Sequence, residues 1–363
     1  MPKRVSVDKW LFGVTLLLVF IGLIMVFSAS AVIAKDRLGS PYSFLLRQLM
    51  WALAGLGAMV LMMNFDYRRL KSSSVVFTAL GLTTLLLLAV FFLDRHANTH
   101  RWIRLGGFSL QPSELAKPAI ILFLAYFLEK RHKNIADWRR TLLPMVVPIL
   151  IFTALIVAEP DLGTAMAVCG ISAAVLFTAG MELKYFSYAA LASTLPLYVL
   201  IFRTAWRARR ITAFLNPDAD PRGAGFHMIQ SLIAVGTGGI FGQGLMEGKQ
   251  KLFYLPEPQT DFIFAVIAEE FGLIGSVVIV ALFALFCYRG LRTAMRTRDY
   301  FARFLAVGIT AMVGVQAFFN ISVVLGLLPT KGIPLPFISY GGSSLFITLT
   351  SVGVLLNITQ QTD

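Results

Sequence analysis

Charged residues are scarce in this chain of 363 residues, as are the residue types that bind metals or form disulfides. Asp, Glu, Lys and Arg together make up only 14% of it, which excludes the charge-rich surface expected of ordinary soluble domains. Its two cysteines, Cys169 and Cys287, lie within apolar runs and do not indicate a disulfide framework. His96 and His100 have the spacing of helical metal ligands, but no third ligand is nearby, so a zinc site is not indicated.

Several patterns that mark other functional classes are also missing. The stretch GAGFHMIQSLIAVGTGGIFGQG has neither phosphate-loop nor dinucleotide-binding spacing. The net charge of +13 does not indicate nucleic-acid binding, because the basic residues are scattered among apolar runs. No internal repeat marks an inverted-repeat transporter. The first apolar run is too long for a signal peptide and lacks a cleavage pattern.

Apolar residues dominate what is present, at 57% of the chain with a mean hydropathy of +0.75. We therefore predict an all-α polytopic membrane protein, with residues 1–363 forming a single integral membrane domain of about ten transmembrane helices. Each predicted span can cross roughly 30 Å of hydrocarbon. The spans are 10–33, 45–63, 75–93, 115–128, 142–158, 162–180, 186–202, 262–288, 304–328 and 337–358.

The basic residues predict the orientation of these spans, because short cytoplasmic connections are enriched in Lys and Arg. They concentrate before the first span and after the second, fourth and eighth, which are alternate connections and share one face. The residues concerned are Lys3, Arg4, Lys9, Arg68, Arg69, Lys71, Lys130, Arg131, Lys133, Arg139, Arg140, Arg289, Arg292, Arg296, Arg298 and Arg303. We expect this face and both termini to be cytoplasmic.

One long connection, about residues 203–260, separates the seventh and eighth spans on the opposite, extracytoplasmic face. It opens with a basic cluster that includes Arg210 and contains too many apolar residues for a plain linker. Loops of this length are usually functional or disordered. Residues 227–235 are expected to form a short amphipathic helix at the membrane interface.

Ionisable residues within spans are candidates for function because burying them in lipid is costly. Glu114 and Lys117 lie three residues apart, so they can neutralise each other on one helix face, either as a packing pair or around a substrate. Glu159 and Asp161 flank a proline at an outer turn, where Asp161 is expected to cap the sixth span. Glu269 and its neighbour Glu270 follow in the eighth span, and Glu269 is a candidate substrate contact.

Asp261 stands in LPEPQTDFIFAVIAEE at the outer mouth of the eighth span. Two prolines prevent an earlier helix start, so Thr260 or Asp261 could cap the helix. The same outer face also carries Arg101, Arg104 and Lys331. A carboxylate among cations near a membrane surface suits chemistry on an anionic, lipid-linked substrate.

Four stretches together resemble one family, the SEDS proteins (shape, elongation, division and sporulation), over nearly the whole chain. They are RWIRLGGFSLQPSELAKP, FLNPDADPRGAGFHMIQS, YLPEPQTDFIFAVIAEEFG and LLPTKGIPLPFISYGGSS. KQKLFYLPEPQTDF and LLPTKG are more similar to the division or sporulation branch than to the elongation branch.

The resemblance implies a ten-span peptidoglycan glycosyltransferase of the bacterial cytoplasmic membrane, which polymerises lipid II on the extracytoplasmic side. It also implies that Asp261, in the TDFIF motif, is the catalytic residue. The implied partners are lipid II, a class B penicillin-binding transpeptidase and other divisome membrane proteins.

Cations must stabilise the diphosphate that leaves in such a reaction. The candidates are Arg101, Lys117, Arg210 and Lys331, and a divalent ion, Mg²⁺ or Mn²⁺, could share this role. Glycines and prolines in PLPFISYGGSS predict a break before the last span. There Ser339 and Ser343 either line the substrate site or support a packing hinge.

Three other functions remain open on the residues alone. A lipid II flippase would also need many spans and intramembrane charges such as Glu114 and Lys117, but it needs no general base at an outer mouth. An elongation-type polymerase would share the chemistry. A scaffold that only recruits partners would not require buried charges.

Overall fold

Long helices account for most of the computed structural model, which describes residues 6–94, 100–105, 108–131 and 137–361. Their order is α1 (Lys9–Leu38), α2 (Ser43–Asn64), α3 (Ser73–Leu93), β1 (Ile103–Leu105), β2 (Phe108–Leu110), α4 (Pro112–Arg131), α5 (Leu143–Ala158), α6 (Leu162–Thr178), α7 (Leu183–Phe202), α8 (Ala205–Leu215), α9 (Phe226–Gly238), α10 (Ile263–Arg296), α11 (Tyr300–Val324) and α12 (Gly342–Thr359). The two strands form one antiparallel hairpin, with Arg104 opposite Ser109. His96, of the histidine pair noted above, lies outside the described residues.

Eight of the described helices are long and apolar enough to cross a membrane: α1, α2, α3, α5 with the turn before it, α7, α10, α11 and α12. The other two predicted spans correspond to α4 and α6. In α4 the charges of Glu114, Lys117 and Glu129 interrupt the apolar run, and α6 has only 17 residues. The structure therefore confirms a helical, multi-pass membrane protein, while the number ten and the orientation stay predictions.

The interior of the bundle is built around α11 and α12. α11 contacts α4, α6 and α10, and α12 packs along α2. By contrast, none of the residues of α7 is buried, so α7 lies at the edge of the bundle. Large apolar side chains on the outside, such as Phe92 and Leu191, are about three-quarters exposed and form a surface that suits contact with lipid.

α1 runs antiparallel to α10, and polar contacts join the two helices at both ends. At one end Asp8 forms an ion pair with Arg289. At the other end the Ser28 hydroxyl donates to Glu270 Oε1 (2.6 Å). Because Ser28 follows Asp8 by twenty residues, the two contacts are about 30 Å apart along the helix, close to the thickness of the hydrocarbon core. Glu270 therefore lies near the end of the bundle opposite the arginine-rich one.

The helix α10 does not continue smoothly as the prediction of a span over 262–288 assumed. Gly272 has a φ of +63°, which interrupts the helical backbone nine residues after α10 begins. The main chain of the preceding loop approaches closely there, and a Cβ at Gly272 would lie 2.4 Å from Gly242 N. Gln243 N and Gly244 N donate to the carbonyls of Glu269 and Glu270 (both 3.0 Å), so the loop satisfies groups that the break leaves free.

The long connection between α7 and α10 is also more ordered than an extended loop. The predicted helix over 227–235 is confirmed within the longer α9, which packs against α10. α8 was not predicted, because its sequence AWRARRITAFL is interrupted by arginines and lacks a long apolar run. The last helix begins at Gly342, later than the predicted residue 337, because the preceding PLPFISYG segment is irregular.

Candidate active site

A cavity of about 170 Å³ lies where four connections between helices meet at one end of the bundle. These are the α3–α4, α5–α6, α7–α10 and α11–α12 connections. They are every second connection between predicted spans, as is required of connections that share one face of a multi-pass bundle. The cavity is lined by Arg101, Pro160, Asp161, Leu162, Gly163, Ile201, Trp206, Arg207, Arg210, Ile211, Asp261, Pro329, Thr330, Lys331 and Gly332. Four predicted site residues, Arg101, Arg210, Asp261 and Lys331, are therefore brought together from distant parts of the sequence.

The carboxylate of Asp261 faces this cavity and does not cap α10. The expectation that Thr260 or Asp261 caps the helix is wrong, because α10 begins at Ile263 with Phe262 in the cap position and no side-chain cap bond. The Thr260 hydroxyl instead donates to Glu257 O (3.2 Å). The Asp261 carboxylate is thus not used as a helix cap and can interact with a molecule in the cavity.

The backbone of Asp261 is fixed by its neighbours in the α11–α12 region. Three successive carbonyl groups accept hydrogen bonds from this region: Gln259 O from Tyr340 N (2.8 Å), Thr260 O from Ser339 Oγ (2.6 Å) and Asp261 O from Asn320 Nδ2 (2.8 Å). A Cβ at Gly332 would lie 2.6 Å from Asp261 Oδ2, so the carboxylate packs directly against this glycine. The cavity is therefore built around one well-defined position for Asp261.

The electrostatic surroundings bring the pKa of Asp261 close to neutrality. Burial raises the pKa to about 6, assisted by the negative charges of Glu257 and Asp161 and opposed by Arg101 and Arg210. A carboxylate with a pKa near 6 is largely ionised at neutral pH and yet more basic than an ordinary aspartate. These are the properties of a general base.

Four cations line the same cavity, and none of them forms an ion pair with a carboxylate among the described residues. Arg101 is held by the backbone, because its guanidinium donates to the carbonyls of Glu159 (3.1 Å) and Pro160. Lys331 lies on the α11–α12 connection. Burial and the neighbouring Arg210 lower the pKa of Lys331 to about 8, with Asp161 acting in the opposite direction.

The other two cations come from α8. Trp206, Arg207, Arg210 and Ile211 face the cavity because they are spaced one and four residues apart on one side of the helix. Both guanidinium groups lie over the Trp206 ring, at 4.9 Å for Arg207 and 5.1 Å for Arg210. Sequence reasoning named Arg210 as a site residue but not Arg207 or Trp206. The spacing in WRARR was the signal that could have identified all three.

Asp161 combines the predicted capping role with a place in the cavity wall. Its carboxylate accepts from Thr164 N (3.1 Å), Thr164 Oγ1 (2.8 Å) and Gln111 Nε2 (3.1 Å). Glu159, two residues earlier, is fully buried, and its carboxyl oxygens have no hydrogen-bond partner among the described residues. Burial, reinforced by Asp161, raises the pKa of Glu159 to about 9, so this group is uncharged at neutral pH.

The predicted pairing of Glu114 with Lys117 is confirmed. Lys117 Nζ lies 2.8 Å from Glu114 Oε2, and it also donates to Gln316 Oε1 (2.7 Å). All three side chains are buried, and the pair does not line the cavity described above. Substrate binding by Glu114 and Lys117 therefore stays a prediction, while their packing role is visible.

Ser339, Ser343 and Glu269 are likewise either hydrogen-bonded within the protein or buried. Ser339 Oγ accepts from Leu335 N (2.8 Å) in addition to its bond to Thr260. Ser343 is buried, and its hydroxyl has no partner among the described residues. The carboxylate of Glu269 accepts from the amides of Lys249 (2.8 Å) and Gln250 (3.1 Å), two residues of the loop that leads to Asp261. Substrate contacts by Ser339, Ser343 and Glu269 stay predictions.

Within the part of the chain that the structure describes, no group of three or more His, Cys, Asp or Glu side chains could hold a metal ion. Asp161 and Asp261 are the carboxylates in the cavity wall, and four cations accompany them. This donor set does not fit a Mg²⁺ or Mn²⁺ ion held by protein ligands alone.

Known protein sequences are similar to this chain over nearly its whole length. The family model for FtsW, RodA and SpoVE, described as "Cell cycle protein", matches residues 8–363. The "Probable peptidoglycan glycosyltransferase FtsW" of Geobacter sp. (strain M18) is 47% identical over 355 residues, covering 97% of this chain and 96% of the relative. "Stage V sporulation protein E" of Bacillus subtilis (strain 168) is 44% identical over 359 residues, covering 99% and 98%.

Solved structures agree with the sequence relatives. A chain from a structure described as "Structural coordination of polymerization and crosslinking by a peptidoglycan synthase complex" matches with a TM-score of 0.80 at 30% identity, covering 98% of both chains. The rod shape determining protein RodA of Thermus thermophilus matches with a TM-score of 0.72 at 28% identity, covering 99% of both. The resemblance drawn from the four sequence stretches is thereby confirmed, including its division or sporulation character.

Proposed function

This chain belongs to the family of FtsW, RodA and SpoVE, and we propose that it is a peptidoglycan glycosyltransferase that polymerises lipid II for septal wall synthesis. The observation that carries the proposal is the juxtaposition of Asp261 with four cations in one cavity. A base and a cluster of cations are what a glycosyl transfer with a diphosphate leaving group requires.

In the proposed reaction, Asp261 removes the proton from the 4-hydroxyl of the N-acetylglucosamine of an acceptor lipid II. The resulting oxygen nucleophile attacks the anomeric carbon of the N-acetylmuramic acid at the reducing end of the growing strand. It approaches from the face opposite the diphosphate, so the configuration inverts. A β-1,4 bond forms, the bond to the diphosphate breaks, and undecaprenyl diphosphate leaves with the electron pair. Proton removal by a positioned base contributes roughly 10²- to 10⁴-fold in rate.

The cations have a separate task at the leaving group. As the glycosidic bond to the diphosphate breaks, negative charge increases on the phosphate oxygens. Arg101, Arg207, Arg210 and Lys331 can stabilise that charge because none of them forms an ion pair with a protein carboxylate among the described residues. A divalent ion that arrived with the diphosphate would strengthen the same interaction.

The proposed location is the bacterial cytoplasmic membrane, with the cavity on the extracytoplasmic face. The basic connections at the opposite end of the bundle support this orientation. The structural relative from a complex that coordinates polymerization and crosslinking supports a crosslinking partner. We propose a class B penicillin-binding transpeptidase, together with other divisome membrane proteins.

A lipid II flippase is the main competing function, and one assay separates the two. Purified protein in detergent, supplied with lipid II and the partner transpeptidase, cannot carry out vectorial transport but can still form glycan strands. We expect polymer to accumulate under these conditions. If no polymer forms while reconstituted vesicles translocate lipid II, the polymerase proposal is wrong.

A further inference from the structure

Asn320 lies on α11 at a point where two walls of the cavity meet. Its amide nitrogen donates to Asp261 O (2.8 Å) and to Ile333 O (2.7 Å). Asp261 precedes α10, whereas Ile333 belongs to the α11–α12 connection that also carries Lys331 and Gly332. One side chain thus ties the proposed base to the segment that supplies a cation and the glycine packed against that base.

The orientation of this amide is fixed by its surroundings. Both neighbouring groups are carbonyl oxygens, which only accept hydrogen bonds, so the NH₂ side of the amide must face them. Asn320 is 2% exposed, and its Oδ1 has no hydrogen-bond partner among the described residues. The unpaired buried acceptor offsets part of the stability that the two hydrogen bonds to Asp261 O and Ile333 O contribute, so the amide is not optimised for stability alone.

We propose that Asn320 is a positioning residue for the glycosyl transfer, which holds Asp261 and the Lys331 segment at a fixed separation. The inference rests on the function proposed above. Asn320 does not line the cavity, so we expect it to make no contact with the substrate. Its effect is exerted through the backbone of the two segments, which is why it was not apparent in the sequence.

The three hydrogen bonds accepted by the Gln259–Asp261 backbone are not equivalent. Their differences make Asn320 the most suitable residue for substitution. Tyr340 contributes only a backbone amide, which no substitution other than proline removes. Ser339 uses its hydroxyl within its own turn as well, through Leu335 N. Among the described residues, Asn320 alone joins Asp261 itself to the Lys331 segment by side-chain hydrogen bonds.

The test replaces Asn320 with leucine, which has a similar size and no donor, and measures lipid II polymerisation by the complex with its transpeptidase. We expect kcat to fall by roughly 10- to 100-fold, since small displacements of catalytic groups have effects of this size. KM for lipid II should change by less than about threefold, because Arg101, Arg207 and Arg210 are held by other elements. Asn320→Ala, which removes both donors without adding volume or charge, should behave similarly and covers the case in which the leucine variant folds poorly.

The matched control is Asn357→Leu. Asn357 is another buried asparagine and lies on α12, away from the cavity segments. It donates to Met63 O (2.7 Å) and accepts from Tyr67 N (3.2 Å). It should lower the thermal midpoint as much as Asn320→Leu does but leave kcat within about twofold.

The pH dependence gives a readout that destabilisation alone would not change. The pKa of Asp261 depends on its burial and on the charges of Glu257, Asp161, Arg101 and Arg210. If Asn320→Leu releases Asp261 towards water, the acidic limb of the kcat profile should move to lower pH, towards the value of about 3.9 of a free aspartate.

The inference is overturned if both Asn320 variants retain kcat within about twofold, or if Asn357→Leu loses as much kcat as they do. Asp261→Asn separates this failure from failure of the proposed function. An inactive Asp261→Asn with a fully active Asn320→Leu refutes the positioning role only. An active Asp261→Asn refutes the proposed base, and the positioning role with it.

Discussion

Lys251 and Glu270 form an ion pair in which the ammonium nitrogen lies 2.5 Å from Oε1, and the two side chains are 4% and 0% exposed. The Ser28 hydroxyl of α1 joins the pair, 2.9 Å from Lys251 Nζ and 2.6 Å from Glu270 Oε1. Together with the bonds from Lys249 N and Gln250 N to Glu269, this fixes the loop before Asp261 to α10 and α1. The two adjacent glutamates thus act at the base of the loop whose far end carries Asp261.

Removing one partner of this pair should be strongly destabilising. Lys251→Met leaves the Glu270 carboxylate buried without its cation, which typically costs about 3–5 kcal/mol. A double replacement, Lys251→Met with Glu270→Leu, should recover much of that loss, because both charges are then absent. Thermal unfolding in detergent measures both effects.

Lys184→Met is the control for that comparison. Lys184 pairs with Glu182 at 2.7 Å, but both side chains are about half exposed, so solvent screens the interaction. We expect no measurable change in the thermal midpoint. Equal losses from Lys184→Met and Lys251→Met would contradict a special role for the buried pair.

The rate of polymerisation should have a bell-shaped dependence on pH. Asp261 must be ionised to accept a proton, so kcat should rise with pH through its pKa of about 6. Lys331 must be protonated to stabilise the diphosphate, so kcat should fall as pH rises through about 8. Glu257→Gln removes a negative charge that raises the pKa of Asp261, and it should move only the acidic limb to lower pH. An acidic limb that stays in place in this variant would argue against Asp261 as the titrating group.

Two consecutive arginines of α8 test the role of the cations. Arg210 lines the cavity, whereas the neighbouring Arg209 does not. Loss of a charged hydrogen bond to the diphosphate is worth about 1.5–3 kcal/mol, so Arg210→Gln should lower kcat/KM by roughly 10- to 100-fold. Arg209→Gln removes the same charge from the same helix and should change kcat/KM by less than about twofold. Equal effects would mean that net charge, and not the cavity, determines the rate.

The sequence was most informative where long apolar runs dominate and least informative where tertiary contacts decide the structure. The run before Leu93 is uninterrupted, and α3 ends there as predicted. The break at Gly272 was not predictable, because it depends on the close approach of Gly242. Asn320 reaches Asp261 across 59 positions, so only the folded chain reveals the contact.

For the candidate site, the sequence predicted the residues of the cavity more accurately than it predicted where the helices begin and end. Asp261, Arg101, Arg210 and Lys331 were named from charges on one face, and the structure brings them to one cavity. Arg207 was missed because α8 was not predicted, and only on a helix does the spacing in WRARR place Arg207 on the same side as Trp206 and Arg210. Lys117 was grouped with these residues by its charge, but its short distance to Glu114 places it in a buried network.

The central claim is that Asp261 is the base for glycosyl transfer, and polymerisation of purified lipid II by Asp261→Asn tests it most directly. Asparagine preserves the size of the side chain but cannot take up the proton. The variant should remain folded, with an unchanged thermal midpoint and an intact complex with its transpeptidase, while the rate of polymer formation falls at least about 10²-fold. Glycan strands formed at the wild-type rate by this variant would contradict the account.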